Sequence, residues 1–145
     1  MTFSAEPLAD LLQALDREGY AFTTVTPATH ARVLARRAGE TACDLRDVFG
    51  WSMAFGKDLL PGELLDLLRE GGALEEQAGG VLRSRVRVAS LSGRLFLHSA
   101  YPTTAEDSVF FGPDTYRFAR FVEAAAQDID TQAELTAYRS LGDRR

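Results

Sequence analysis

Three arginines, Arg83, Arg85 and Arg87, stand at every second position of the run RSRVRV. That spacing places all three on one side of an extended strand. Leu82, Val86 and Val88 lie on the other, with Ser84 between them. A row of guanidinium groups can neutralise phosphates; the same row on a solvated strand face keeps an edge from aggregating. Two histidines are present. His98, with Tyr101 and Asp107 nearby in sequence, has the chemistry of a general base, or of a strand histidine at an interface. His30 sits early in a helical pattern with no partner in sequence. Cys43 precedes a helix start, where a thiolate would be stabilised, but no base accompanies it and it reads as a small buried residue. Two histidines and one cysteine this far apart do not form zinc-ligand spacing. G-x-S-x-G, the P-loop and the dinucleotide fingerprint are all missing. Residue chemistry alone therefore composes no catalytic site.

The 145-residue chain is long enough for one domain with a substantial core. Its 46% hydrophobic and 26% charged content is that of a soluble globular protein. The net charge of −5 argues against general affinity for nucleic acid. A single cysteine fits a reducing, cytoplasmic setting. The opening MTFSAEPLADLL lacks the basic start of a secretory signal. No apolar run reaches the ~20 residues of a membrane span.

The elements that would position these residues follow from periodicity. Ser4 caps a first helix with Pro7 in its first turn, a stripe of Leu8, Leu11, Leu12 and Leu15, and a stop at Gly19. Thr26 and Pro27 open a second helix, ended by Gly39, whose expected buried side is Ala31, Leu34, Ala35 and Ala38. Asp44 caps a third, broken helix with Leu45, Val48 and Phe49 inward, and Trp51 and Phe55 join Phe49 in the core. The fourth, LPGELLDLLREGG, buries Leu64, Leu67 and Leu68 and stops at Gly71-Gly72. The period then switches to two, and Ser92-Gly93 turns the chain into a second strand, RLFLHSAY.

Helices followed by a β-hairpin give the order of a winged helix. In a DNA-reading winged helix, the helix before the wing enters the major groove. Here that helix carries Glu63, Asp66 and Glu70, with Glu75 and Glu76 behind it and Arg69 as its one base. Acidic side chains repel phosphate, so protein contact or internal packing suits the shape better; a winged-helix nucleic-acid-binding regulator is the alternative.

The segment LFLHSAYPTTAEDSVFFGPDTYRFARFV resembles the lead-in to the catalytic domain of class I S-adenosylmethionine-dependent methyltransferases, in the branch that includes the release-factor glutamine methyltransferases. RSRVRVASLSGRLFLHSAYP is similar to the linker strands of bacterial members with an extra N-terminal domain. The resemblance covers roughly Leu8 to Val122. It implies a winged-helix-like N-terminal domain over 1–102, a linker strand, turn and helix over 103–126, and a helical or frayed tail over 127–145. The turn Phe110-Phe111-Gly112-Pro113-Asp114-Thr115-Tyr116 would form the docking edge. Pro113 fixes φ, Asp114 is suited to cap the helix, and Phe118, Phe121, Val122 and Ala125 make its apolar stripe.

The family's next element is a strand ending in a glycine-rich loop that receives the methyl donor. Here QDIDTQAELTAYRSLGDRR follows, with Asp128, Asp130, Gln132 and Glu134 at the matching spacing and no glycine among them. Side chains there would fill the cofactor's space. An Asn-Pro-Pro-Tyr-type acceptor signature is also absent. The resemblance thus implies a truncated form: an accessory domain for substrate recognition and docking, not itself catalytic, with no cofactor of its own where the full-length family uses S-adenosylmethionine. The implied partners are its catalytic domain or a macromolecular methyl acceptor (protein or RNA). A second copy could also cover the apolar helix, and no membrane is involved. The expected fold class is α+β: a winged-helix-like helical bundle with a β-hairpin, then a linker strand and a helix. The surfaces singled out are Arg83, Arg85 and Arg87 for substrate or partner, and Phe111, Pro113, Asp114, Thr115, Tyr116 and Phe118 for docking.

Overall fold

A computed structural model describes residues 3–102, 112–113 and 115–120. The fold is α+β, helices with two small antiparallel strand pairs. The chain forms two compact units, Met1–Phe111 and Gly112–Arg145.

In the first unit, α1 (Ala5–Arg17) buries Leu8, Leu11, Ala14 and Leu15 and packs on α4 (Gly62–Glu70), which buries Leu64 and Leu68. Gly19 ends the first helix at φ 76°, where a side chain would be strained. Thr26 caps α2 (Pro27–Arg36) by accepting the Thr29 N–H at 3.2 Å, and Asp44 caps α3 (Leu45–Phe49) by accepting the Asp47 N–H at 2.9 Å. Val48, Phe49, Phe22, Phe55, Val86 and Val88 complete the core. Each large apolar side chain removed from water there contributes roughly 1.5–3 kcal/mol.

The second helix differs from expectation. Ala31, Ala35 and Ala38 are exposed and Leu34 is half-buried; the one fully buried residue is His30. The inward face is His30, Val33, Leu34 and Arg37, a helical stripe with a polar residue at each end. A hydrophobicity pattern cannot reveal it, because its ends are polar and turn inward through hydrogen bonds.

The strands differ as well. Leu74–Glu76 forms β1, not foreseen in the sequence, and pairs antiparallel with β2 (Leu82–Ser84). Phe55 bridges Leu82 from the other side. The hairpin directly after α4 is therefore β1–β2. The expected hairpin follows it as β3 (Val86–Leu91) and β4 (Arg94–Ser99), joined at Ser92-Gly93 with φ 52° and 75°, the left-handed pair of a tight hairpin turn.

The continuous arginine-bearing strand is broken at Arg85. The Arg85 N–H turns to the Ala73 carbonyl at 2.7 Å, and the Ser84 hydroxyl bonds both backbone groups of Val86, at 2.6 and 3.2 Å. The segment before α2 lies along the free side of β3: the Tyr20 hydroxyl donates to the Val88 carbonyl at 2.6 Å, and Phe22 and Ser90 exchange bonds at 2.9 and 3.0 Å. The expected linker strand lies outside the described residues. In the second unit, residues 113 and 115–120 are helical.

One ion pair ties α2 to α3. Arg37 donates both terminal nitrogens to Asp47 at 2.6 and 2.9 Å, and the Cys43 N–H donates to the same carboxylate at 2.9 Å. These donors hold the Asp47 carboxyl below its ordinary 3.8, Arg37 contributing most. The stabilisation is present above that ordinary value and is lost as pH falls through the lower native one. Asp47→Asn should lower unfolding free energy by about 2 kcal/mol at neutral pH, read from urea denaturation. An unchanged midpoint would show the pair to be idle.

Candidate functional site

Local folding gathers residues from five segments at one place. From α2 comes His30, 1% exposed. Its Nε2 lies 2.9 Å from the Trp51 carbonyl, and its ring stacks on Tyr101 with centroids 4.0 Å apart and planes 7° from parallel. From β3 comes Arg87, whose Nε donates to the Ser99 carbonyl at 2.7 Å and whose Nη1 lies 3.4 Å from His30 Nδ1. His98 on β4 is the cross-strand neighbour of Arg87. From β2, Arg83 donates to the Ser52 carbonyl at 3.0 Å and to the Tyr101 carbonyl. Ser52 accepts the Tyr101 N–H on its hydroxyl at 3.1 Å. The result is a clasp that holds the segment leaving β4.

The three arginines thus part company. Arg87 is 3% exposed, and Arg83 and Arg85 are half-buried. The expectation of one open arginine face is corrected. The side of the strand opposite Val86 and Val88 is covered by His30 and Tyr101, and Arg87 bonds a carbonyl there. The nucleic-acid alternative loses the row of phosphate contacts on which it rested.

Burial also fixes the charges. Removal from water lowers the Arg87 pKa to about 10, with Arg83 adding to the shift, so Arg87 remains a cation at neutral pH. Removal from water likewise holds His30 below 6.5, assisted by Arg87 and Arg83. It pushes His98 down to about 3, helped by the charge on Arg87 and by His30. A ring 3% exposed and titrating near 3 is a neutral interior group rather than a base poised near neutrality. The two histidines, far apart in sequence, come within electrostatic reach of each other. No signal in their spacing announces it; the one hint is that His30 opens the α2 stripe.

Cys43 corrects another expectation. Its side chain is exposed, because its backbone caps the Asp47 carboxylate and leaves the thiol outside. Among the described residues no cluster of histidine, cysteine and carboxylate side chains could hold a metal. No described helix is long and apolar enough to cross a membrane.

At the docking edge, the Gly112 N–H donates to the Thr115 hydroxyl at 3.3 Å and the Thr115 N–H to the Gly112 carbonyl at 2.9 Å, closing the turn around Pro113. Tyr116 is half-buried and Phe118 is 68% exposed. Phe111 and Asp114 lie outside the described residues. A separate cleft of about 390 Å³ opens between α4 and the β1–β2 hairpin, lined by Lys57, Leu65, Arg69, Glu76 and Val81 among others.

No family model, no curated protein and no solved structure matches the chain.

Neutral, buried His98 makes stability depend on pH. In the unfolded chain the ring binds a proton below about 6.5, and in the native chain only near 3. Stability is therefore full above 6.5 and falls by about 1.4 kcal/mol per pH unit below it. Urea titrations between about pH 7 and 5 should show this slope, and His98→Gln should remove that part of it. An equally steep decline in the variant would assign the slope to other groups.

Proposed function

We propose that the chain is the substrate-recognition and docking portion of a cytoplasmic S-adenosylmethionine-dependent methyltransferase, without catalytic activity of its own. Phe118 carries the reading. It stands on the helix that opens after the Gly112–Thr115 turn, within the segment whose residues resemble the lead-in to a methyltransferase catalytic domain, and its ring is 68% exposed. A phenylalanine presented to water on a helix suits a surface that another domain covers. The division of the chain at Phe111–Gly112 falls inside the expected linker, 103–126, at the turn that opens its helix. The methyl donor would belong to the partner, and the acceptor would be a macromolecule.

Calorimetric titration of the purified chain with S-adenosylmethionine should give no saturable heat; tight uptake would overturn the non-catalytic assignment. In extracts of the native host, the immobilised chain should retain a protein that photo-cross-links to radiolabelled S-adenosylmethionine, and Phe118→Asp should lose it. Retention by the variant, or no labelled protein with either, would overturn the docking assignment.

A further inference from the structure

Geometry holds His30 in one protonation state. The Trp51 carbonyl, 2.9 Å from Nε2, can only accept, so Nε2 carries the hydrogen. The Arg87 guanidinium, 3.4 Å from Nδ1, can only donate, so Nδ1 keeps its lone pair. The neutral ring with its hydrogen on Nε2 is the one form that satisfies both neighbours. A proton on Nδ1 would set N–H against N–H beside a buried cation. Arg87 would have to withdraw, and Arg87 is what holds the Ser99 carbonyl at 2.7 Å. Two residues further on, Tyr101 rests on the same imidazole.

We propose that Ser99–Tyr101 is an acid-released strap: it is clasped to the first unit while His30 is neutral and let go when His30 gains a proton. Among the described residues, the charged and titratable groups facing His30 are Arg87 from β3, Arg83 from β2, His98 from β4 and Tyr101 of the strap itself. The segment after α3 contributes the Trp51 carbonyl and the Trp51 ring, edge-on at 5.2 Å. Both cations oppose a further positive charge. Release frees the Tyr101 N–H from Ser52 and the Ser99 and Tyr101 carbonyls from the two arginines, while the apolar packing of α1 on α4 is untouched. The chain runs on from this strap toward the second unit. The inference stands apart from the methyltransferase reading and survives its failure.

Amide hydrogen exchange on the whole chain, followed by NMR with the His30 ring titration in the same samples, tests it. From about pH 7.5 to about pH 5, protection of the Tyr101 amide should fall roughly tenfold in step with the His30 ring; a released ring of ordinary pKa sets a ceiling of roughly 30-fold. Protection at Leu15 and Leu68 should fall only as far as the global unfolding free energy measured with urea at the same pH. In His30→Phe, which keeps a ring under Tyr101 but cannot titrate, the pH dependence at Tyr101 should vanish. If that variant does not fold, the wild-type titration decides alone. Flat protection at Tyr101 across the range overturns the proposal. So does protection at Tyr101 that matches the global unfolding free energy at every pH, or an undiminished pH dependence in the phenylalanine variant.

Discussion

The turn at Trp51-Ser52 is the point on which the first unit's polar interior depends. Ser52 takes φ 59°, a left-handed conformation uncommon for a residue with a side chain. Held that way, the two residues offer what their neighbours require: the Trp51 carbonyl to His30, the Ser52 carbonyl to Arg83 and the Ser52 hydroxyl to the Tyr101 N–H. Segments separated by up to 71 positions, from His30 to Tyr101, meet at this one bend. Strain of this kind persists only where surrounding bonds over-determine the backbone.

Among the described residues, carbonyls accept from the buried Arg87 and the half-buried Arg83. A carbonyl dipole satisfies a guanidinium hydrogen without cancelling its charge. Desolvation therefore remains visible in the lowered proton affinity of Arg87 and in the exclusion of protons from both histidines. Such an arrangement adds little to net stability beside an apolar alternative of the same volume. What it adds is direction, because each hydrogen bond fixes where the departing segment must run. The Arg37–Asp47 pair differs: there a carboxylate meets the guanidinium, and the bond joins helix to helix rather than helix to strap.

How much of this was legible in the sequence follows from what stabilises each part. The Leu8–Leu15 stripe, the Thr26 and Asp44 caps and the Ser92-Gly93 turn were readable, because each is a local pattern with a local cause. The inward face of α2 was not, since His30 is a polar residue buried by partners far along the chain and Arg37 is half-buried against Asp47, ten residues on. The break at Arg85 was hidden because alternation continues across it: Leu82, Ser84, Val86 and Val88 are all interior although they belong to two sheets. The β1 strand was missed because Leu74–Glu76 is short and two of its three residues are acidic. As for the site, the residue types were visible as candidates, but their convergence needed the fold.

Arg83 bears on how the chain can diverge. Its guanidinium reaches two carbonyls at once, one on the bend after α3 and one beyond β4, 49 residues apart. The planar fork makes this possible; a lysine ammonium is a compact point charge on a flexible stem and does not reproduce it. A relative carrying lysine at 83 would retain the charge yet lose the span, so drift between the two basic residues, ordinarily neutral on a surface, is costly at this position.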